Sequence, residues 1–103
     1  MKLIVTGRQI PVSPAQRRAI QHHVTRVARI LGPAALSVQA VVSHERSMTV
    51  CELTLHARAD HILHGQGRDR RFAVALTTAA GRVGRQAQRL ADRWKSRRKG
   101  DEA

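Results

Sequence analysis

Five arginines repeat at intervals of three and four residues late in the chain, and they are the side chains best suited to binding chemistry. They are Arg82, Arg85, Arg89, Arg93 and Arg97. At about 100° per residue, this spacing places them along one side of a helix. Like charges one turn apart repel each other, so helix stability does not explain the arrangement. Because a guanidinium group pairs well with phosphate, the pattern predicts contact with a polyanion, the alternative being a solvated helix surface.

The helix that carries these arginines is predicted to run from Arg70 to Lys99. A neighbouring stripe of apolar residues predicts that one side packs on a core; it comprises Phe72, Leu76, Ala79, Val83, Ala87, Leu90 and Trp94. Asp92 is the one acidic residue in this range, so the arginines lack balancing charges. Both aromatic residues fall on the apolar stripe, so we expect shape and phosphate contacts, rather than stacking on aromatic rings, to provide the binding.

An earlier helix is predicted to begin after Ser13 and to end at Leu31. Ser13 suits the cap, Pro14 the first position and Gln16 the return hydrogen bond of a capping box, and Gly32-Pro33 terminates the helix. Its apolar face comprises Ile20, Val24, Val27 and Leu31. The opposite side carries Arg18, His22, Arg26 and Arg29. This second basic face is as typical of a solvated surface as of RNA contact.

Four segments alternate between apolar and polar residues and are predicted to be strands. They are Met1–Thr6, Leu36–His44, Val50–Arg58 and His61–Gly67. A three-residue loop before the last strand keeps Leu63 on the same face as Leu55, with His56 and His64 opposite each other on the outer face. A two-residue loop would instead bury His64 among leucines.

The order β-α-β-β-β-α predicts an α/β fold of the α+β two-layer type, with two helices on one face of a four-stranded sheet. The arrangement resembles that of double-stranded-RNA-binding domains. The first crossover should pair parallel strands, and the later strands should form antiparallel hairpins. Residues 1–96 form the predicted domain, and residues 97–103 a polar, disordered tail.

The composition also restricts the partners. Among 103 residues, 19 Lys and Arg outnumber 7 Asp and Glu, for a net charge of +12, which favours RNA, DNA or an anionic membrane. No apolar run approaches the ~20 residues of a membrane span, and the start lacks a secretory signal. We therefore expect a cytoplasmic protein without a membrane partner. Motifs of sequence-specific DNA readers are absent from the sequence, so DNA is not expected either.

Neither a metal, a cofactor nor catalysis is expected. Cys51 is the one cysteine. His22 and His23 diverge on a helix, His61 and His64 point to opposite faces of a strand, and a cross-strand pair of His56 with His64 would supply only two ligands. Ser13 is better explained as a helix cap than as a nucleophile. Gly65-Gln66-Gly67 lacks the further glycine and the lysine of a phosphate loop, and close helix packing explains these glycines better.

Two segments carry a resemblance to a known family. Similarity to its opening strand and first helix involves Leu3, Val5, Thr6, Gly7, Ile10, Ser13, Ala15, Arg17, Ile20, Val24, Arg26 and Val27. Similarity to its last strand and helix involves Leu63, His64, Gly65, Gln66, Gly67, Phe72, Val74, Ala75 and Leu76. The chain thus resembles the ribosome hibernation promoting factors, also called ribosome-associated inhibitor A or sigma-54 modulation proteins. Ala73 and Thr77 stand where that family usually has Tyr and Asp.

This resemblance implies a non-enzymatic translation inhibitor that binds the small ribosomal subunit. It would contact ribosomal RNA where messenger and transfer RNA meet, and would silence or protect idle ribosomes. Arg82, Arg85, Arg89 and Arg93 match basic or polar family positions, and on the first helix the resemblance favours His23 and Arg26 most.

Two alternatives remain from sequence, an adaptor that binds a protein such as a sigma factor and a double-stranded RNA-binding module that acts away from ribosomes. Because the chain is similar to the short form of the family, we expect ribosome dimers only with a separate factor. The high charge predicts a monomer when the protein is free.

Overall fold

The computed structural model describes the backbone of residues 1–102 and the side chains of residues 1–97. Its elements are β1 (Lys2–Gly7), α1 (Pro14–Leu31), β2 (Ala35–Glu45), β3 (Met48–Ala57), β4 (His61–Asp69) and α2 (Phe72–Glu102), with a short 3-10 turn at Gly32–Ala34. The predicted element order and the α+β fold class are therefore confirmed. The disordered tail expected over residues 97–103 falls almost entirely outside the described side chains and stays a prediction.

The four strands form one sheet in the order β1-β2-β3-β4. β1 and β2 are parallel, whereas the β2–β3 and β3–β4 pairs are antiparallel, as predicted. Three residues, Arg58 to Asp60, connect β3 to β4. They place Leu63 opposite Leu55 on the core face, which also agrees with the prediction.

The expected pairing of His56 with His64 is wrong by two residues. Ala57 pairs with His61, so the hairpin closes one residue earlier on β3 than the sequence reasoning assumed. His64 therefore lies opposite Thr54, and His56 lies opposite Ile62. Both histidines still occupy the outer face, because a shift of two residues preserves the alternation of faces.

Helix α1 begins with the predicted capping box. The Ser13 hydroxyl accepts a hydrogen bond from the Gln16 backbone N–H at 3.1 Å, and the Gln16 side chain accepts one from the Ser13 N–H at 3.0 Å. These bonds satisfy two of the N–H groups that the first turn leaves without partners. Helix α2 begins two residues later than predicted, since Arg71 donates its backbone N–H to the Asp69 carboxylate at 2.8 Å in the preceding turn.

Two glycines of β4 let the backbone of α2 pack directly on the sheet. A Cβ atom at Gly65 would lie 2.5 Å from the Ala79 carbonyl oxygen, and one at Gly67 would overlap the Ala75 carbonyl. Ala75 lies against Gly67, and Ala79, one turn later on the helix, lies against the earlier strand residue Gly65. Helix α2 therefore runs antiparallel to β4. The same topology makes α1 antiparallel to β1, so the two helices are parallel to each other.

The core lies between the helices and one face of the sheet. It includes Ile20 and Val24 of α1, Leu53 and Leu55 of β3, and Leu76, Val83 and Leu90 of α2, all at most 3% exposed. Burial of the apolar stripe on α2 is thus confirmed for its central members, whereas Phe72 and Trp94 are only half-buried at its ends. Among the described residues, no helix contains an apolar stretch long enough to cross a membrane.

Candidate nucleic-acid interface

The arginine stripe of α2 is exposed along its whole length. Arg82, Arg85, Arg89, Arg93 and Arg97 are all classed as exposed. The buried residues Val83, Ala87 and Leu90 interleave with them and fix which side of the helix turns to the core. The stripe therefore runs along the exposed side of α2, as the helical spacing predicts.

The first arginine of the stripe also helps to hold α2 on β4. A guanidinium nitrogen of Arg82 donates to the Gln66 carbonyl oxygen at 2.7 Å. One turn further on, the Gln86 side chain accepts from the His64 backbone N–H at 3.1 Å and donates to the His64 carbonyl at 2.6 Å. These bonds satisfy backbone groups on the outer edge of β4. Arg82 therefore retains only part of its hydrogen-bonding capacity for a ligand.

The middle of the stripe borders a shallow cleft. Arg89 and Arg93 line it together with Leu63, Gln86 and Asp92. Asp92 accepts a hydrogen bond from the Gln88 side chain at 3.1 Å. The cleft thus presents two arginines above an apolar floor, and Asp92 at its rim provides the one nearby carboxylate among the residues that line it.

On α1 the predicted residues divide into two groups. Arg18, His22, Arg26 and Arg29 are exposed, whereas His23 is half-buried. His23 and Arg26 line a groove between the two helices, with Thr77 and Gly81 of α2 on its other wall. His23 and Arg26 are the α1 residues that the family resemblance favoured.

Arg85 connects the α2 stripe to this interhelical groove. Its guanidinium nitrogen lies 3.6 Å from the position that a Cβ atom of Gly81 would occupy, and Gly81 lines the groove with His23 and Arg26. Because Gly81 has no side chain, the Arg85 guanidinium group can lie along the helix surface beside Gly81. Basic groups of both helices therefore meet at this groove. We call the basic residues of the two helices together the helical basic face: Arg18, His22, His23, Arg26 and Arg29 of α1 with Arg82, Arg85, Arg89, Arg93 and Arg97 of α2.

Electrostatic repulsion within this face is visible at His23. Burial lowers the pKa of His23 below its usual value of 6.5, and the neighbouring His22 and Arg26 lower it further. The rings of His22 and His23 meet edge to face with centroids 6.0 Å apart. A negatively charged ligand would relieve this repulsion and restore the pKa of His23.

The carboxylates that form ion pairs lie elsewhere. Arg68 contacts Glu45 at 3.0 Å, Arg71 contacts Asp69 at 3.8 Å, and His64 lies 4.0 Å from Glu52. All three pairs involve β2, β3 or the end of β4. Among the side chains of residues 1–97, none of the cations of the helical basic face lies within ion-pair distance of a carboxylate.

Sequence reasoning missed a cluster around Trp94. The guanidinium carbon of Arg58 lies 5.2 Å from the centroid of the Trp94 ring, and the His61 ring meets the indole edge to face at 5.8 Å. Trp94 was placed with the core stripe, but its half-buried ring also lines a surface cleft with Arg58 and Arg97. The loop that brings Arg58 and His61 to this position was predicted, but its contact with α2 depends on how far the helix extends past the sheet.

The described side chains contain no group of three potential metal ligands. His64 lies near Glu52, but it is not directly opposite His56, because His64 pairs with Thr54 and His56 pairs with Ile62. Burial raises the pKa of the Cys51 thiol to about 11. Cys51 is 1% exposed and packs in the core, where a neutral thiol behaves as a small apolar residue.

A two-layer α+β domain with a cationic helix surface is typical of small proteins that bind nucleic acids. A family model described as "Sigma 54 modulation protein / S30EA ribosomal protein" matches residues 3–95. The chain belongs to this family, which confirms the resemblance observed in the sequence.

Solved structures share the fold. The N-terminal domain of Protein Y from Thermus thermophilus superposes with a TM-score of 0.75 at 20% identity, covering 86% of this chain and 94% of that one. A ribosomal subunit interface protein from Coxiella burnetii gives a TM-score of 0.71 at 11% identity, covering 93% of this chain and 99% of that one. A search of curated protein sequences finds no match to the chain.

Proposed function

We propose that this protein is a ribosome-associated hibernation factor that inhibits translation without catalysing a reaction. It binds the small ribosomal subunit through ribosomal RNA in the decoding channel, where messenger RNA and transfer RNA anticodons would otherwise lie. Occupancy of the channel silences the ribosome and protects it while it is idle. The protein acts in the cytoplasm as a monomer and needs no cofactor.

The observation that carries this proposal is the helical basic face. Its arginines have no carboxylate partners among the described side chains, so the folded protein gains little from them apart from the hydrogen bond of Arg82 to Gln66. A guanidinium group binds phosphate through two parallel hydrogen bonds and loses little hydration in doing so. Family membership and the subunit-interface description of the Coxiella burnetii structure support the ribosome as the source of that phosphate.

Reversing two charges in the middle of the face tests the proposal. Arg85→Glu combined with Arg89→Glu places carboxylates where phosphates would bind, and we expect this variant to lose both ribosome binding and translation inhibition. Because both side chains are exposed, the free energy of unfolding should change by less than about 1 kcal/mol. Pelleting with purified small subunits, translation in vitro and urea unfolding measure the three quantities.

The matched control combines Arg8→Glu with Arg46→Glu. It changes the net charge equally, but Arg8 follows β1 and Arg46 lies in the β2–β3 turn, both exposed and outside the helical basic face. We expect this control to pellet with subunits and to inhibit translation. If the Arg85/Arg89 variant inhibits as well as the parent, the stripe is a solvated surface and the proposal is wrong.

Binding assays with double-stranded RNA and with an alternative sigma factor, carried out beside subunit pelleting, separate the alternatives. A protein that binds double-stranded RNA but not small subunits would be an RNA-binding module of another kind. One that binds neither, but forms a complex with an alternative sigma factor, would be the protein adaptor. The helical basic face favours ribosome binding over the adaptor function, because a protein partner would need an acidic surface of matching length.

A further inference from the structure

The cleft at the carboxyl end of α1 differs from the other grooves on the surface because it contains the one tryptophan. It is lined by Leu31, Pro33, Ala34, Arg58, Trp94 and Arg97 and has a volume of about 520 Å³, within the range of small-molecule sites. Its floor is apolar, and its rim carries two arginines. This combination suits a ligand that is planar on one side and negatively charged on the other.

The β3–β4 loop and α2 meet the end of α1 and the 3-10 turn to build this cleft. The β3–β4 loop supplies Arg58 and is held to the 3-10 turn by a hydrogen bond from the Arg58 backbone N–H to the Ala34 carbonyl at 2.9 Å. Helix α2 supplies Trp94 and, less than one turn further on, Arg97. The loop backbone is unusual, because Ala59 and Asp60 both adopt positive φ, at 63° and 59°, which residues other than glycine rarely do.

The planar groups in the cleft offer stacking surfaces. Trp94 is half-buried, so part of the indole remains accessible. Arg58 lies over the ring with its guanidinium carbon 5.2 Å from the centroid, within the distance of a cation–π contact. Nucleobases stack both on indole rings and on guanidinium planes.

The cleft is also continuous with the helical basic face, because Arg97 belongs to both. An RNA strand whose phosphates follow the arginines of α2 would reach the cleft at the last of them. From this geometry we infer that the Trp94 cleft binds one unpaired nucleobase of an RNA strand, with Arg58 and Trp94 as the stacking surfaces and Arg97 at the adjoining phosphate. This inference rests on the proposed binding of RNA and adds a site for a base to it.

Trp94 itself reports on the site. The chain has one tryptophan and no tyrosine, so its intrinsic fluorescence at long wavelength comes from this ring alone. A short single-stranded oligoribonucleotide should quench that fluorescence, whereas a duplex of equal phosphate concentration should bind with little quenching. Fluorescence anisotropy of an end-labelled strand measures binding in both cases independently of Trp94.

Two further ligands identify what is stacked. An oligonucleotide of the same length with abasic sites should bind through its phosphates but leave the fluorescence unchanged. A free nucleoside monophosphate at the same concentration should also leave it unchanged. Quenching by the abasic strand would overturn the inference, and full quenching by the free nucleotide would show that the site takes a free ligand instead of a base in RNA.

Substitutions provide a second measurement. Arg58→Ala leaves the backbone hydrogen bond to Ala34 intact and should weaken binding of the single strand about tenfold, without changing binding of the duplex. Trp94→Leu, which keeps an apolar side chain, should do the same in the anisotropy assay. The control Arg46→Ala removes an equal charge at the opposite end of the sheet, outside the helical basic face, and should leave the binding of both ligands unchanged.

The two proposals fail in different ways. If neither RNA changes the anisotropy, the proposed RNA binding fails and the base site with it. If both RNAs bind and the fluorescence stays the same, or Arg58→Ala affects both ligands equally, only the base site is wrong and Trp94 serves to close the end of the core.

Discussion

At the scale of single residues, the cations of the helical basic face lie near one another and have no carboxylate partners among the described side chains. His23 shows this most clearly, because its neighbours are His22 and Arg26 and its ring is partly removed from water. The depressed pKa means that the folded protein disfavours the imidazolium form. Protonation of His23 therefore favours the unfolded state, and stability decreases as the pH falls below the usual value of 6.5. A bound phosphate reverses the sign of this effect, because it favours the imidazolium.

This reversal predicts a pH dependence of RNA binding. Binding of phosphate near His23 raises its depressed pKa again, so a proton is taken up on binding and the affinity increases as the pH falls through and below the usual value of 6.5. His23→Gln should reduce the increase in a titration of small subunits or RNA at constant ionic strength.

His56→Gln is the control for this prediction, since His56 is exposed on the outer face of the sheet, away from the helices. It should leave the pH dependence unchanged. An increase that persists in full in the His23 variant would assign the proton to another group.

At the scale of elements, glycines have two different roles in the contact surfaces of α2. Gly65 and Gly67 of β4 are required, because a Cβ atom there would meet the helix backbone. Gly84 of α2 is not, because a Cβ atom there would lie 3.9 Å from the Val27 side chain, an ordinary contact distance. The same residue type therefore supports close packing on the strand and only weakens the helix.

Gly84→Ala should consequently raise the free energy of unfolding by about 0.5 to 1 kcal/mol, the difference in helix propensity. Gly67→Ala should lower it by about 1 to 3 kcal/mol, because α2 must move away from the sheet. Urea unfolding followed by circular dichroism measures both. A destabilised Gly84→Ala variant would show that Val27 cannot accommodate the methyl group.

Features that depend on neighbours in sequence could be predicted, whereas features that depend on contacts between distant residues could not. The capping box at Ser13, the strand alternation and the two stripes of α2 depend on neighbours in sequence, so they could be predicted. The register of the β3–β4 hairpin depends on backbone conformation at Ala59 and Asp60, which sequence reasoning did not determine, and His56 was consequently paired wrongly. Contacts made by Arg58 and Gln86 join residues more than twenty positions apart and left no periodic signal.

At the scale of the whole molecule, the two layers differ in how their charges are paired. The cations of the helical basic face have no carboxylate partners among the described side chains, whereas the outer face of the sheet carries the Glu45–Arg68 pair and the contact between Glu52 and His64. That contact lies in the middle of the face, flanked by polar residues such as Gln39 and Thr54. The molecule is therefore expected to bind RNA with the helix layer facing the phosphates and the sheet facing away.

Such binding should depend strongly on salt. If six to ten phosphates are contacted, affinity for small subunits should fall by about 10³ or more between ~50 and ~200 mM monovalent salt, because counterions are released on binding. Sedimentation of the protein with subunits across this range tests the prediction. A protein that stays bound equally well at both concentrations would owe its affinity to apolar contacts, and one that remains free at low salt would not be a ribosome partner.

The hydrogen bonds between Gln86 and the edge of β4 also bear on how the chain folds during synthesis. α2 is made after all four strands, yet its residues cover the core face of β3 and β4 and close the outer edge of β4. Until α2 has emerged from the ribosome, a nascent sheet has an uncovered apolar face and an open edge, which are the features that lead partly folded chains to aggregate. Folding of the native sheet is therefore tied to the synthesis of α2, and a chain stopped before Gln86 should require a chaperone to stay in solution.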